Sequence, residues 1–592
     1  MKPGLIALLV AMITACAAPF GYADTDLCTV YLTQGSYDEA IAECTRQITA
    51  GAAGEKVDMT YNSRGLANYY LGRFDKAIAD YDKAIELNPK FAEAYFNRGI
   101  VYYEQRRLDQ AIADYNKTIE LHQGDDLTYN SRGLAYNLQG QFDLAIADFG
   151  KAIELNPDSA EAYNNRGLAY FYKGQHDQAV ADYNKAVELN PAMAVAYANR
   201  GLAYKNGGKL DRAIADYGMA ILLNPEYAEA YNYRGLAYID KGLYYPAIAD
   251  FTKAIELNPG FALAYNNRGY AYGLNDQLDL AVADCSKAIE LDPKLALAYN
   301  NRGVAYFDKG QLDLAIADYG KAIELNPDLA LAYANRGYAY SLKGQPAPAI
   351  ADYDKAIELN PGDVLTYNNR GIVYFGKGQL DKAIADYDKA IELNPGYTTA
   401  YLDRGLASHN RGQLDRAIAD YTKVIELRPD YAEPYFYRGN AYSNKGQFAQ
   451  AIADHRKAIE LNPKDEYAYV HLLIDLWLAK DDDAEAVGKF QLYVSSAGSD
   501  EWIRTVSNFY LGIGILDEQS VLAAAGNGKS DREKRERLCE AYYYLGVKRL
   551  VSGDRKGATE DFVKSIETDA KSSLGYGGAK AMLASLKEGA AE

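Results

Sequence analysis

The sequence predicts an all-α fold, a solenoid of stacked helix-turn-helix repeats closed at each end by divergent helical caps. Three observations carry this. Arg-Gly recurs every 34 residues, at Arg64, Arg98, Arg132, Arg166, Arg200, Arg234, Arg268, Arg302, Arg336, Arg370, Arg404 and Arg438, so that twelve units of equal length fill residues 58–465. Apolar residues within each unit fall on two helical stripes, with Gly and Pro punctuation at fixed places. The 54 tyrosines among 592 residues follow the same register, which marks them as core positions and not as a cofactor box.

Residues 1–23 open with Lys2, run apolar from Leu5 to Ile13 and meet small residues near Ala15 and Ala23, the pattern of a secretory signal. The apolar run is too short to span about 30 Å of hydrocarbon as a helix. Two processing routes fit. Ile13-Thr14-Ala15-Cys16 resembles a bacterial lipobox acylated at Cys16, and Gly21-Tyr22-Ala23 resembles a cleavage site before Asp24. Either route makes the chain exported, periplasmic or tethered to the outer membrane of a Gram-negative bacterium, with membrane contact only through a lipid anchor.

Residues 24–57 read as a degenerate first repeat, with Gly35 in the place that Gly174 holds in a regular unit. Cys28 and Cys44 then fall at the Gly167 and Tyr183 places. In an oxidising compartment they are expected to pair, closing a loop worth roughly 3 kcal/mol in the chain-entropy description. Cys285 and Cys539 read as single core thiols.

A regular unit, 160–193, reads A-E-A-Y-N-N-R-G-L-A-Y-F-Y-K-G-Q-H-D-Q-A-V-A-D-Y-N-K-A-V-E-L-N-P-A-M. Tyr163, Gly167 and Tyr170 share one helical face; Ala179, Tyr183 and Ala186 share another. Small Gly167 and Ala179 let the two backbones approach. Gly174 breaks the first helix, Asp177 is placed to cap the second, and Pro191 stops it. This pattern closely resembles the tetratricopeptide consensus, a helix-turn-helix repeat of the same period. The resemblance implies a right-handed superhelix whose first helices line a concave groove, and partners that are proteins or extended peptides.

After residue 465 the period loosens. Residues 466–538 continue as divergent helical repeats, in which the charged run 529–537 is a solvated surface or a linker. Residues 539–592 restore one repeat through Tyr542, Gly546, Gly553, Ala558 and Phe562, forming a C-terminal cap whose tail, 575–592, is expected to fray.

On the groove side the resemblance places Asn164, Asn165, Leu168 and Phe171. Asparagine fills the second of these places in Asn97, Asn165, Asn199, Asn267, Asn301, Asn335 and Asn369, and the first in Asn62, Asn130, Asn164, Asn232, Asn266, Asn300 and Asn368. An amide offers both donors and acceptors, so an evenly spaced column suits an extended peptide backbone. The double column resembles the asparagine ladder of the O-linked N-acetylglucosamine transferase repeat domain, without any segment matching that enzyme's catalytic domain. The peptide-binding candidates are therefore Asn97, Asn164, Asn165, Asn199, Asn266, Asn267, Asn300, Asn301, Asn335, Asn368 and Asn369. The Phe171 place varies through Tyr69, Tyr103, Lys205, Ile239, Phe307, Phe375 and His409, which predicts side-chain pockets that differ along the groove.

Each Arg-Gly arginine is matched by an aspartate 16 residues on, from Asp80 to Asp454, and a partly buried guanidinium needs such a partner. These pairs are expected to be structural. The net charge of -18 repels phosphate backbones and excludes nucleic acid as a partner. The histidines His122, His176, His409, His455 and His471 lie in different units without metal or nucleophile spacing. His176 and His409 are expected on solvated or groove surfaces, with His455 replacing a core tyrosine. No cofactor, metal, small-molecule substrate or enzymatic activity is expected. The function that follows is a non-catalytic scaffold for protein partners, with a structural assembly factor for envelope biogenesis, secretion or polysaccharide export as the alternative.

Overall fold

The computed structural model describes residues 27–50, 56–122, 124–479, 488, 501–511, 517–570 and 573–588. The signal segment with Cys16 lies outside the described residues, as does most of the stretch 480–500. The described residues carry 32 α-helices and no strand. They divide into two compact units, Met1–Pro293 and Lys294–Glu592, with the division between the seventh and eighth repeats.

A repeat is built as Ala160–Tyr172 followed by His176–Leu189. The turn between them needs a left-handed residue, and Gly174 supplies it at φ +81°. In the second and seventh repeats Arg106 and Asp276 accept the same conformation at +62° and +58°. Asn190 ends the second helix, where its side chain accepts from the Ala192 N–H at 3.1 Å around Pro191. Asp177 does not cap that helix. Gln175 is the N-cap residue, without a side-chain bond, because its carbonyl already accepts from the Ala179 N–H. Asp177 therefore sits inside the first turn, where its charge favours the helix dipole.

The seam between the two helices is set by a glycine against a ring. A Cβ on Gly167 would lie 2.8 Å from Tyr183 Cε1, and one on Gly303 would lie 2.8 Å from Tyr319 Cε1. The N-terminal repeat replaces this contact with a covalent one: Cys28 and Cys44 are bonded, with their Cα atoms 5.2 Å apart. Within each unit consecutive first helices touch one another, as Ala160–Tyr172 touches Asp126–Leu138 and Ala194–Asn206. That puts the first helices on the inner side of each stack.

The C-terminal region is a cap with its own core. Trp502, Val506, Tyr510, Tyr544 and Phe562 are buried in one cluster with Val470 and Ile474 of the helix Glu466–Ala479. Helix Asp531–Val551 runs through the 538/539 boundary read from sequence, and the charged run forms its exposed first turns, capped by Ser530. The tail does not fray over residues 574–588. Helix Leu574–Glu588 packs on Thr398–Arg411 and Ala432–Asn444, the first helices of the last two regular repeats. It settles there because Ala579 and Met582 enter the cap core while Gly577 and Gly578 bring its backbone close to the repeats and to Tyr543.

Candidate functional site

The inner face starts from the arginines that anchor it. Each guanidinium grips the aspartate 16 residues on through two nitrogens, as Arg166 does with Nε to Asp182 Oδ2 at 2.7 Å and Nη2 to Oδ1 at 2.8 Å. The ring of the tyrosine three residues earlier lies 5.3 to 5.8 Å from the guanidinium carbon in all twelve repeats. Where the preceding repeat offers an acceptor, the remaining nitrogen reaches back to it: Arg132 Nη1 meets Asn116 at 2.6 Å, and Arg200 Nη1 meets Asn184 at 2.9 Å. There one side chain ties two helices of its own repeat to its neighbour.

The bond to Asp182 raises the pKa of Arg166 against the opposing effect of burial. Burial dominates at Asp114 and pushes its carboxyl up in spite of Arg98. The two directions disagree on the worth of such a pair, and the parallel geometry, at 2.8 and 2.7 Å for Arg98–Asp114, decides for the charged form. With both charges satisfied inside the wall, these arginines are structural.

The asparagines also turn toward each other. Asn62, Asn164, Asn232, Asn266, Asn300 and Asn368 are buried, as is Asn165. Across neighbouring repeats Asn97 donates to Asn62 at 3.0 Å, Asn165 to Asn130 at 3.1 Å, Asn199 to Asn164 at 2.9 Å, Asn267 to Asn232 at 2.9 Å and Asn335 to Asn300 at 3.1 Å. Asn164 also donates to Asn165 at 3.3 Å, so a relay of amides runs from Asn199 to Asn130. The half-buried members Asn97, Asn130, Asn199, Asn267, Asn301, Asn335 and Asn369 are the ones left toward solvent. In the eleventh repeat Asp403 stands in this column. It accepts from Asn368 at 3.2 Å, and burial pushes its carboxyl up to about 6.

The Leu168 place, read from sequence as part of the groove side, belongs to an apolar line along the centre of the same face, whose other two places sequence reasoning missed. In the second unit Leu297, Leu331, Tyr338, Leu342, Leu365 and Ile372 are 41 to 57% exposed. They hold positions two, nine and thirteen of their repeats, which lie within about 40° of one another on a helix of 3.6 residues per turn. The periodicity that found the core could have found this line. The variable Phe171 place, by contrast, does not form open pockets: Phe171, Phe307 and Phe375 are half-buried and pack with the second helices.

His409 is not on a surface. It is buried beneath Gly577 of the C-terminal helix, bonded to Asn444 at 2.6 Å, with burial pulling its pKa down to about 4. His471 is buried nearby, edge-on to Phe436, and falls to about 3. His455 does replace the core tyrosine, pairing with Asp475 at 2.7 Å. Cavities of about 400 and 440 Å³ flank the C-terminal helix where it crosses the repeats, the larger lined by Ser443, Asn444, Gly577 and Ser585. Among the described residues no group of His, Cys, Asp and Glu is arranged to hold a metal ion, and no helix is long and apolar enough to cross a membrane.

The family profile described as Tetratricopeptide repeat matches residues 92–125, 160–193, 194–227, 228–261, 262–295, 296–329, 330–363, 364–397 and 432–465. Related profiles match 65–106, 133–174 and 408–446, described as TPR repeat, and 386–419, described as Tetratricopeptide repeat. Among solved structures, YrrB, described as a TPR protein with an unusual peptide-binding site, is 29% identical over 31% of this chain and 95% of its own, with a TM-score of 0.29. MamA is 30% identical over 28% of this chain and 96% of its own, with a TM-score of 0.26. A tetratricopeptide repeat protein from Parabacteroides merdae is 22% identical over 42% of this chain and 98% of its own, with a TM-score of 0.37. No curated protein matches the chain.

Proposed function

This chain belongs to the tetratricopeptide repeat family, and on that premise we propose that it is a non-catalytic scaffold, exported from the cytoplasm, that gathers partner proteins or extended peptides on its first-helix face. The observation that carries the reading is the half-buried amide at the same place in repeat after repeat, Asn199 and Asn267 on the inner face of the first unit and Asn335 on that of the second. By count each of these amides keeps one N–H and at least one lone pair beyond its bonds to other asparagines, enough to engage a peptide backbone. The Cys28–Cys44 bond supports export, because such bonds persist in oxidising compartments.

Capture from intact cells by crosslinking, with Asn335 and Asn369 changed to Ala, tests this. Loss of the captured partner supports the inner face. Unchanged capture takes the contact off the amides; crosslinks confined to the second helices or the C-terminal cap then mark the arrangement of a structural assembly factor. The inter-repeat amide bonds favour that second reading, since they commit much of the ladder to the fold itself.

A further inference from the structure

The first-helix face of the second unit changes character along its length. At the eleventh and twelfth repeats positions nine and thirteen are Leu406, Asn410, Asn440 and Asn444, and helix Leu574–Glu588 lies over them. At the eighth to tenth repeats the same positions, with position two, carry Leu297, Leu331, Tyr338, Leu342, Leu365 and Ile372, all uncovered, beside half-buried Val304 and exposed Asp308 and Gly376. One end of this face therefore already holds a helix, and the adjoining stretch presents large apolar side chains to solvent. Isolated apolar residues need no account, but six on one stripe of three adjacent helices form a patch that marks a binding surface.

The shape of the patch selects the occupant. An extended strand binds through its backbone, and the amides beside this row already spend part of their hydrogen-bonding capacity on one another, as Asn335 does on Asn300. A helix offers no free backbone groups along its middle and binds through side chains alone, which is what a leucine and tyrosine row can take. We propose that repeats eight to ten dock an amphipathic helix of a partner protein, apolar on one face, laid across the first helices beside the chain's own Leu574–Glu588. Adjacent packed helices stand about 8 to 10 Å apart, so the row spans roughly 20 Å. At about 1.5 Å per residue the docked helix is about 13 residues long.

This inference rests on the reading of the first-helix face as the binding face. It is tested on the full chain with a fluorescein-labelled peptide of about 13 residues, leucine on one face and equal numbers of Lys and Glu elsewhere. The comparison peptide has the same composition with a central proline. Fluorescence anisotropy is expected to show saturable binding of the helical peptide below about 100 µM and at least about tenfold weaker binding of the proline peptide. Changing Leu331 and Leu365 together to Ser is expected to weaken binding at least about tenfold, while Leu222→Ser, an exposed position in the first unit, leaves it unchanged. Both leucines are more than half exposed, so the substitutions spare the fold, and circular dichroism confirms it. Equal binding of the two peptides, indifference to the Leu331 and Leu365 changes, or no binding overturns the inference. Crosslinking capture with the same double variant separates the two levels: capture that depends on Asn335 and Asn369 but not on Leu331 and Leu365 sinks the helix and leaves the scaffold standing.

Discussion

Asp403 shows how one residue reads in the pattern of its neighbours. The inter-repeat bonds from Asn97, Asn165, Asn199, Asn267 and Asn335 run from the second amide of one repeat to the first amide of the repeat before, but a carboxylate cannot donate, so Asn368 donates instead and its own Oδ1 finds no hydrogen-bond partner among the described residues. Asp403→Asn restores the donor and is expected to add about 1 kcal/mol of stability. The sign depends on pH. The folded pKa of Asp403 is raised to about 6 from 3.8, so its favourable contribution is complete below 3.8 and is lost as pH rises through 6. The gain in Tm is therefore expected at pH 8 and to shrink at pH 5, where protonated Asp403 can donate; a gain equal at both pH values contradicts the assignment. The arginines make the opposite case. Arg336→Leu leaves Asp352 buried without its fork and is expected to cost about 3 kcal/mol or more while partner capture stays intact. A stable variant that loses its partner would make the arginine a ligand contact.

At the scale of helices, the repeat boundaries were legible because glycine and proline act locally. Gly174 and Pro191 fix where a helix can stop without reference to anything distant. The close approach at Gly167 and Ala179 was legible too, and the structure adds the Tyr183 ring that the glycine makes room for. Gly303→Ala places a methyl 2.8 Å from Tyr319 and is expected to destabilise its repeat by about 1 to 3 kcal/mol, read as faster amide exchange confined to that repeat and its neighbours. Unchanged exchange would mean that the ring moves aside freely. The burial of His409 and the docking of Leu574–Glu588 were not legible. Both depend on a helix returning about 165 residues along the chain, and Gly577 and Gly578, which permit the approach, look in sequence like any flexible tail. The closure of the asparagines on each other was hidden for a similar reason: spacing shows that a column exists, but only the pitch between repeats decides whether its members reach one another.

At the scale of the molecule, regular repeats and the cap answer to different physics. Stability of the regular repeats comes from seams made again in each unit, whereas the C-terminal cap depends on a single core and a buried polar layer beneath its last helix. His471 makes that cap sensitive to acid. Its pKa falls from 6.5 to about 3 through burial and the neighbouring His455 and His409, so its contribution is present above 6.5 and declines as pH falls toward 4. Glu540, raised to about 7 by burial, works the other way and costs stability as pH rises through 7. The two are separated by His471→Phe, which removes only the first: its Tm advantage over the parent is expected to grow between pH 6.5 and 4, on the order of 3 kcal/mol at the acid end. A constant difference would show that His471 does not titrate in the cap. The fold class and the repeat boundaries thus follow from sequence because each repeat is a local solution, while the site is shaped by contacts between repeats and by the cap. Hydrogen–deuterium exchange on the full chain, alone and bound to the partner captured from its own cells, bears most squarely on the scaffold reading. Protection on the first helices, strongest from Ala296–Asp308 to Val364–Gly376, is the predicted result; protection confined to the second helices or to residues 501–567 would contradict it.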